Sequence, residues 1–421
     1  MSSHACYRTS FAAIHNVQED KNRVNKLLQY GVTVYVIALF FSPALSVTVE
    51  LFIYLMFFSS AHYRNALYCF LTTPIGKAFG FFAFTILLGV IVGSIRDWID
   101  WSILWSMRKV LIFPIAAVIF MGNEGARERF IKGVLAVAVI VAAYGISSSA
   151  VVELPRGARA LAPFNGMLFA ALLSVSTILL LRAAGHVQSM LLVLCVGLLV
   201  YALALVGSRS AYLASTVMMC FVLLVTLVPR HQALFGLKKT ALITLSLLAW
   251  ISVVLTSQTS QQRLFQAVDE YRQPLDQGAN TSVGQRKIFY LNTINMLTSY
   301  SIIGAGTASF ERAYIKHLEA MGEDKTLVTR DPHNNYLKIW IEQGLVGLIA
   351  LLWLLISLAR YTFSSITSLM GGVVLLGWSI SSLFNGHLGT FTEGRFFWAW
   401  TGVLLASVPL AHQPSPSDAK S

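Results

Sequence analysis

An arginine at the start of a predicted helix is the first candidate for chemistry. Arg209 lies in Gly207-Ser208-Arg209-Ser210, directly before a long apolar run. The free backbone N–H groups and the positive end of a helix beginning here would reinforce the guanidinium as an anion site, and Gly207 allows a ligand to approach closely. We interpret Arg209 as an anion ligand. A snorkelling arginine at a helix end is the alternative.

A second arginine, Arg286, lies in Ser282-Val283-Gly284-Gln285-Arg286, within the longest segment between apolar runs. Guanidinium suits phosphate because its planar fork donates two parallel hydrogen bonds and keeps its charge. The sequence therefore makes Arg286 a candidate phosphate ligand. Its spacing leaves open the alternative that it pairs with an acidic side chain of the same segment.

A histidine completes the set of candidates. His333 lies in Arg330-Asp331-Pro332-His333-Asn334-Asn335-Tyr336, immediately before another apolar run. Histidine is the usual general base near neutral pH when a neighbour fixes its tautomer, and Asp331, Asn334 and Asn335 are available either for that role or to cap the helix. His333 is thus a candidate base, with a capping or interfacial role as the alternative.

Several classes of chemistry lack their residues. The predicted outer segments contain no D-x-D, H-E-x-x-H, P-loop or G-x-S-x-G pattern, so we expect neither a metal site nor a cofactor nor a serine nucleophile. The net charge of +12 comes without a basic run with interleaved aromatics, so nucleic acid is not an expected partner. Asn385-Gly386-His387 and Glu393-Gly394-Arg395 form a further polar cluster, interpreted as wall or support of a site.

The elements that position these residues are predicted to be membrane helices. The chain has 421 residues, of which 56% are hydrophobic and only 12% charged, and the apolar residues occur in runs long enough to cross a bilayer as helices. An all-α polytopic protein with about twelve transmembrane helices follows. Because Pro43 and Arg108–Lys109 interrupt apolar runs, ten or eleven are alternatives. The predicted spans lie near 29–44, 45–62, 77–95, 101–121, 132–151, 162–181, 187–206, 211–228, 239–257, 338–359, 364–384 and 396–411.

Lysine and arginine are distributed unequally between the two sides of these spans, which predicts their orientation. One side has only Arg96, Arg156, Arg159, Arg209 and Arg395 in its short segments. The other side has Arg8, Lys21, Arg23, Lys26, Arg64, Lys77, Arg127, Arg129, Lys132, Arg182, Arg230, Lys238, Lys239, Arg360 and Lys420. The richer side, with both termini, is predicted to be cytoplasmic, and the candidate residues then face outward.

The longest segment between spans is predicted to be an ordered outer loop. It contains two amphipathic stretches, Gln285 to Tyr300 and Phe310 to Met321, joined by the turn signal Gly304-Ala305-Gly306. The predicted organisation is membrane helices over 1–257 (spans 1–9), the loop over 258–337, membrane helices over 338–412 (spans 10–12), and a disordered cytoplasmic tail over 413–421.

The combination of motifs resembles the O-antigen ligase and polymerase superfamily. It comprises the span layout, the Arg209 motif, Arg286, the Gly304 turn, and His333-Asn334-Asn335-Tyr336-Leu337 followed by Glu342-Gln343-Gly344-Leu345-Val346-Gly347. The resemblance covers roughly residues 155–400. It implies a glycosyltransferase C-type fold in the bacterial inner membrane, with a periplasmic active site.

The resemblance also implies substrates and roles. The donor would be a glycan linked to undecaprenyl pyrophosphate, the acceptor a terminal sugar of lipid A-core, and the surroundings membrane lipids. Arg209 and Arg286 would bind pyrophosphate, and His333 would deprotonate the acceptor hydroxyl. Arg159, Asn334 and Tyr336 would be further substrate ligands. Inversion at the anomeric carbon is the simplest expectation, because no outer carboxylate pair is arranged for a covalent intermediate.

Other functions remain open at this stage. A polymerase of the same superfamily typically has two large outer loops, and a protein O-oligosaccharyltransferase is usually longer, so a single loop and 421 residues favour the ligase. A secondary transporter would place charges near mid-membrane and have repeated halves. A lipid-scaffolding protein would leave the outer arginines and His333 individually dispensable.

Overall fold

A computed structural model describes residues 19–151, 166–273, 281–322 and 328–408. Every regular element in these ranges is helical, which confirms the predicted all-α class. The predicted ligand Arg159, its neighbour Arg156 and the predicted tail 413–421 lie outside the described residues.

The helices follow the predicted spans closely along the chain. They are α1 Glu19–Ala38, α2 Pro43–Ser59, α3 Ala61–Leu71, α4 Pro74–Ile95, α5 Trp101–Ser106, α6 Ile112–Phe120, α7 Glu124–Val151, α8 Gly166–Arg182, α9 His186–Val206, α10 Arg209–Leu227, α11 Pro229–Thr256, α12 Gln258–Arg272, α13 Ser282–Met296, α14 Phe310–Met321, α15 Asn335–Ala359, α16 Ile366–Ser381 and α17 Thr392–Thr401. A 3-10 segment, Met107–Leu111, joins α5 to α6, and a π-helical turn, Gly402–Ala406, follows α17.

Six helical stretches in the described ranges are long and apolar enough to cross a membrane: Pro74–Ile95, Trp101–Phe120, Glu124–Ser147, His186–Val206, Arg209–Leu227 and Asn335–Ala359. The number rises to eight if each of two sharply bent pairs forms one span; α2 and α3 meet at 93°. Two more apolar helices, α8 and α16, are slightly shorter. The protein is therefore a multi-pass membrane protein, while the predicted count of twelve is not confirmed.

Of the basic pair that interrupts the fourth predicted span, Lys109 is buried and Arg108 is partly buried. Arg108 Nε lies 3.4 Å from the Oε1 atom of Glu50 in α2, and Arg395 Nε donates to the Oε2 atom of the same carboxylate at 3.1 Å. Lys109 Nζ donates to the carbonyl oxygens of Gly389 and Thr390 at 2.6 and 2.9 Å. These charges are paired with protein groups, as buried charges require.

Helix α15 is broken at Gly344, which has φ 72° and ψ −176°. The segment before α14 supplies partners for the freed backbone groups. Ala305 N donates to Ile341 O at 2.6 Å, Gly306 N to Glu342 O at 2.9 Å, and Leu345 N to Ser301 O at 2.9 Å. The motif Gly304-Ala305-Gly306 therefore contacts the motif that contains Gly344, and we call this contact the glycine seam.

The seam also reaches α4. Thr307 N donates to Gly89 O at 2.9 Å, and the Thr307 hydroxyl donates to Ile86 O at 2.8 Å. A Cβ at Gly344 would overlap the carbonyl oxygen of Ile302, so no larger residue fits there without a shift of the backbone. The seam thus joins the segment between α13 and α14 to two membrane helices.

The helices α13 and α14 occur where amphipathic stretches are predicted. Thr281 caps α13 by accepting from Gly284 N at 3.0 Å. Their inner faces form a small apolar cluster in which Phe289 and Phe310 pack around Tyr314, together with Ile341 of α15. This cluster fixes the position of α13, and with it Arg286, relative to the start of α15.

Candidate active site

Arg209 is the first residue of α10, as its motif predicts. Gly207 ends α9 with φ 68°, and the Ser208 side chain caps α10 by accepting from Ala211 N. The Arg209 guanidinium donates through Nε to Arg263 O at 3.0 Å and pairs through Nη1 with Glu270 Oε2 at 3.2 Å. One end of the guanidinium is therefore held by α12, and the side chain keeps about a fifth of its surface exposed.

Glu270 connects three of the elements at the site. Its Oε2 atom accepts from Arg209 and also from the backbone N–H of Val283 at the start of α13, at 3.2 Å. Glu270 was not among the predicted site residues, because nothing in the sequence distinguishes it from the other acidic residues of the loop. Its role is to hold the first turns of α10 and α13 together.

Arg286 lies on α13, one turn after Val283. Its Nη2 donates to Asn385 Oδ1 at 3.4 Å. Burial lowers the pKa of Arg286 below its ordinary value, and the positive charge of Arg209 lowers it further. Arginine still keeps its proton. Because the two guanidinium groups repel each other, an anion bound between them would stabilise both.

His333 lies at the end of the segment that leads into α15. Its φ is 58°, in the left-handed region that few side chains adopt. The backbone N–H of His333 donates to Asp331 Oδ1 at 2.7 Å, and its backbone carbonyl oxygen accepts from the Tyr290 hydroxyl at 3.0 Å. The ring stacks on Phe289 with the ring centroids 6.2 Å apart. The two backbone hydrogen bonds fix the position of His333, and Phe289 orients its imidazole.

The electrostatic environment of His333 favours the neutral ring. Burial lowers its pKa below the ordinary value; Asp331 opposes this effect, while Arg286 and Lys338 add to it. A neutral imidazole can accept a proton, which a general base must do.

Asn334 and Tyr336 do not line the same space as His333. The Asn334 side chain caps α15, accepting from the backbone of Tyr336 at 3.0 Å and Leu337 at 3.1 Å. The Tyr336 hydroxyl donates to Ser379 O at 2.7 Å. The structure therefore gives these two residues helix-capping and packing contacts, and their binding of substrate stays a prediction.

A cavity of about 910 Å³ brings the other candidates together. Its lining includes Arg209, Arg286 and His333, three candidates from separate parts of the chain. Arg263, His387 and Glu393 also line it. Arg263 was not among the predicted site residues, whereas His387 and Glu393 belong to the predicted wall cluster. Among the described residues, no group of three or more His, Cys, Asp or Glu side chains could hold a metal ion.

Residues 191–352 match the family model described as O-antigen ligase. The match covers less than half of the chain and supports the resemblance to the O-antigen ligase superfamily. The match runs from α9 into α15 and contains Arg209, Arg286 and His333. It is narrower than the predicted resemblance over 155–400, and His387 and Glu393 lie beyond it. No curated protein matches the chain significantly.

The similarity of residues 191–352 to the O-antigen ligase family agrees with the helical membrane architecture. The family suggests a membrane glycosyltransferase-like enzyme, acting with lipid-linked glycan and lipid acceptor substrates in a membrane. The matched segment 191–352 contains Arg209, Arg286 and His333, the three candidates that line the cavity.

Proposed function

We propose that the protein is an O-antigen ligase that transfers a glycan from undecaprenyl pyrophosphate to a terminal sugar of lipid A-core. The reaction takes place on the periplasmic face of the inner membrane, in a glycosyltransferase C-type fold of about twelve spans. Residues 1–257 and 338–412 form the membrane part, 258–337 the periplasmic loop and 413–421 a cytoplasmic tail. The lysine and arginine distribution supports this orientation.

The observation that carries the proposal is the meeting of Arg209, Arg286 and His333 in one cavity. The two arginines come from the start of α10 and from α13, and they are separated in the sequence by the whole of α11 and α12. A leaving pyrophosphate gains negative charge in the transition state, and fixed cations stabilise it there. Loss of one such donor typically costs ~3–4 kcal/mol.

His333 would accept the proton of the attacking hydroxyl. The acceptor oxygen forms a bond to the anomeric carbon while the bond from that carbon to the pyrophosphate oxygen breaks. The proton passes to the imidazole, and undecaprenyl pyrophosphate leaves with the bonding electron pair. A single in-line displacement inverts the anomeric configuration. Retained configuration in the product would contradict this mechanism.

The test is transfer by purified protein from undecaprenyl-pyrophosphate-linked glycan to lipid A-core, with EDTA present. We expect product from the wild type, and a loss of roughly 100-fold or more in rate for Arg209→Ala and His333→Ala. Arg312→Ala and His317→Ala are matched controls, because both residues lie on α14 and neither lines the cavity. Unchanged transfer by His333→Ala would remove the base assignment.

The identity of the acceptor separates the ligase from its relatives. Elongation of one lipid-linked glycan on another would indicate a polymerase, and transfer to a protein an O-oligosaccharyltransferase. No transfer by a folded wild type would return the transporter to consideration. The cavity chemistry is common to the three transferases, so the acceptor assay, rather than the site variants, decides among them.

A further inference from the structure

A second pair of titratable side chains lines the cavity. His387 lies in the loop between α16 and α17, and Glu393 lies in the first turn of α17. His387 Nδ1 is 3.6 Å from Glu393 Oε1, longer than an ordinary hydrogen bond. Neither residue belongs to the machinery proposed above, so their presence in the same cavity needs its own explanation.

The imidazole of His387 is buried without satisfying its polar atoms. Only 5% of the residue is exposed. Within the described ranges neither ring nitrogen has a hydrogen-bond partner. Buried polar atoms are almost always paired in native proteins, and exceptions call for an explanation such as a bound molecule. A ligand in the cavity would supply the missing partner.

The loop that carries His387 is firmly held. The side-chain amide of Asn335, oriented with its oxygen toward the loop, accepts from the N–H groups of His387 at 3.1 Å and Leu388 at 3.0 Å. Lys109 holds the next residues through the carbonyl oxygens of Gly389 and Thr390. Because Asn335 is two residues from His333, the same helix start positions both histidines. His387 is therefore fixed relative to the proposed base.

The charge and the hydrogen-bonding atoms of His387 and Glu393 determine which chemical group could bind between them. The Glu393 carboxylate would repel a phosphate oxygen, whereas the arginines of the cavity attract it. A group that both donates and accepts hydrogen bonds can pair with the carboxylate and with either nitrogen of the imidazole. A sugar hydroxyl meets these requirements, since it has one donor hydrogen and two acceptor lone pairs.

We infer that His387 and Glu393 form the acceptor subsite, where they bind a hydroxyl group of the acceptor sugar beside His333. This inference rests on the proposed function, because it assigns the acceptor to one part of the proposed active site. The pair acts by binding and orienting the sugar, and His333 remains the group that takes the proton.

The test compares Glu393→Gln and His387→Gln with the wild type in the transfer assay, varying donor and acceptor separately. We expect the acceptor KM to rise about tenfold in each variant, equivalent to about 1.4 kcal/mol. The donor KM should stay within about twofold, because the arginines that bind pyrophosphate are unchanged. His317→Gln is the matched control, since its Nε2 also lacks a partner among the described residues but does not line the cavity.

A binding measurement distinguishes failure of this inference from failure of the proposed function. A soluble core oligosaccharide is titrated into the full-length protein by calorimetry, with the unfolding midpoint of each variant recorded. Weakened binding in Glu393→Gln supports the subsite even if no transfer occurs, in which case only the proposed reaction fails. An unchanged acceptor KM and affinity, or equal rises in donor and acceptor KM, would overturn the inference.

Discussion

Asp331 acts on His333 in two ways, one through the backbone and one through its charge. Its Oδ1 atom accepts from the His333 N–H at 2.7 Å, and its Oδ2 atom lies 3.5 Å from Lys338 Nζ. Burial lowers the pKa of His333, and the negative charge of Asp331 raises it by a smaller amount. The resulting pKa of His333 lies below its ordinary value, so the ring is neutral at neutral pH.

The pH dependence of transfer follows from this balance. If the neutral ring of His333 is the base, the rate falls as the pH drops through its pKa, below about pH 6.5. Asp331→Asn keeps an acceptor oxygen for the His333 N–H but removes the charge that raises the pKa. We therefore expect the acid limb of the pH–rate profile to move to lower pH, and a limb that stays in place or moves to higher pH would contradict the assignment.

The left-handed backbone of His333 leads to a stability prediction. At φ 58° a residue with a β-carbon is strained, whereas glycine is not. His333→Gly should therefore unfold at a higher temperature than His333→Ala, with a difference of about 1 kcal/mol. At His317, in the interior of α14, we expect the opposite order: His317→Gly should be less stable than His317→Ala by about 1 kcal/mol, because glycine is unfavourable inside a helix. Both comparisons are made by thermal unfolding in detergent, and the same order at both sites would contradict the strained backbone.

For the residues of the site, the sequence indicated which residue types stand near helix starts. It did not indicate the directions in which their side chains point. Arg209 and His333 stand at predicted helix starts, and the predicted orientation placed both on the outer side. Asn334 and Tyr336 share a motif with His333, yet a cap and a long-range hydrogen bond direct them elsewhere. Glu270 was missed because only the folded chain brings α12 against α10.

At the scale of elements, the break in α15 determines how the loop and the membrane helices meet. The motifs around Gly304 and Gly344 are visible in the sequence, but nothing there indicates that they contact each other. Gly304 and Gly306 contact backbone on opposite sides, since a Cβ at Gly304 would meet Gly344 N at 2.5 Å and one at Gly306 would meet Gly93 Cα at 2.5 Å. Such close backbone contacts depend on tertiary packing, which hydrophobic periodicity does not report.

Gly344→Ala tests the glycine seam. The added Cβ meets the Ile302 carbonyl, and the positive φ strains any other residue. We expect a loss of about 1–3 kcal/mol or more in stability from the backbone conformation alone. Gly197→Ala in α9 is the control, because its Cβ would meet nothing within 4 Å and a helical alanine is preferred. Equal unfolding temperatures for the two variants would argue against the seam.

At the scale of the whole molecule, Glu50 is the link between the first helices and the last. It pairs with Arg108 in the 3-10 segment and with Arg395 in α17, and both Glu50 and Arg395 are almost fully buried. Arg395 follows Glu393 of the cavity by two residues. The amino-terminal helices therefore support the wall of the site, although the family match begins only at residue 191.

Removing Glu50 leaves two buried cations without their shared partner. We expect Glu50→Ala to lower the free energy of unfolding by about 3–5 kcal/mol. Lys132→Ala, which breaks the exposed Lys132–Glu128 pair, should change it by no more than about 1 kcal/mol. Chemical unfolding of both variants measures the difference, and similar values would mean that Glu50 contributes no more than a surface pair.

The glycine seam also sets an order in which the chain can be completed. Thr307 bonds to Ile86, 221 residues earlier in the chain, and the seam closes only after residue 345 has been made. At a synthesis rate of about 5–20 residues per second, α4 waits roughly 10–50 s for this contact. Throughout that interval the carbonyl oxygens of Ile86 and Gly89 lack these partners. The nascent protein thus passes through a stage in which α4 has been made but lacks its contacts with the seam.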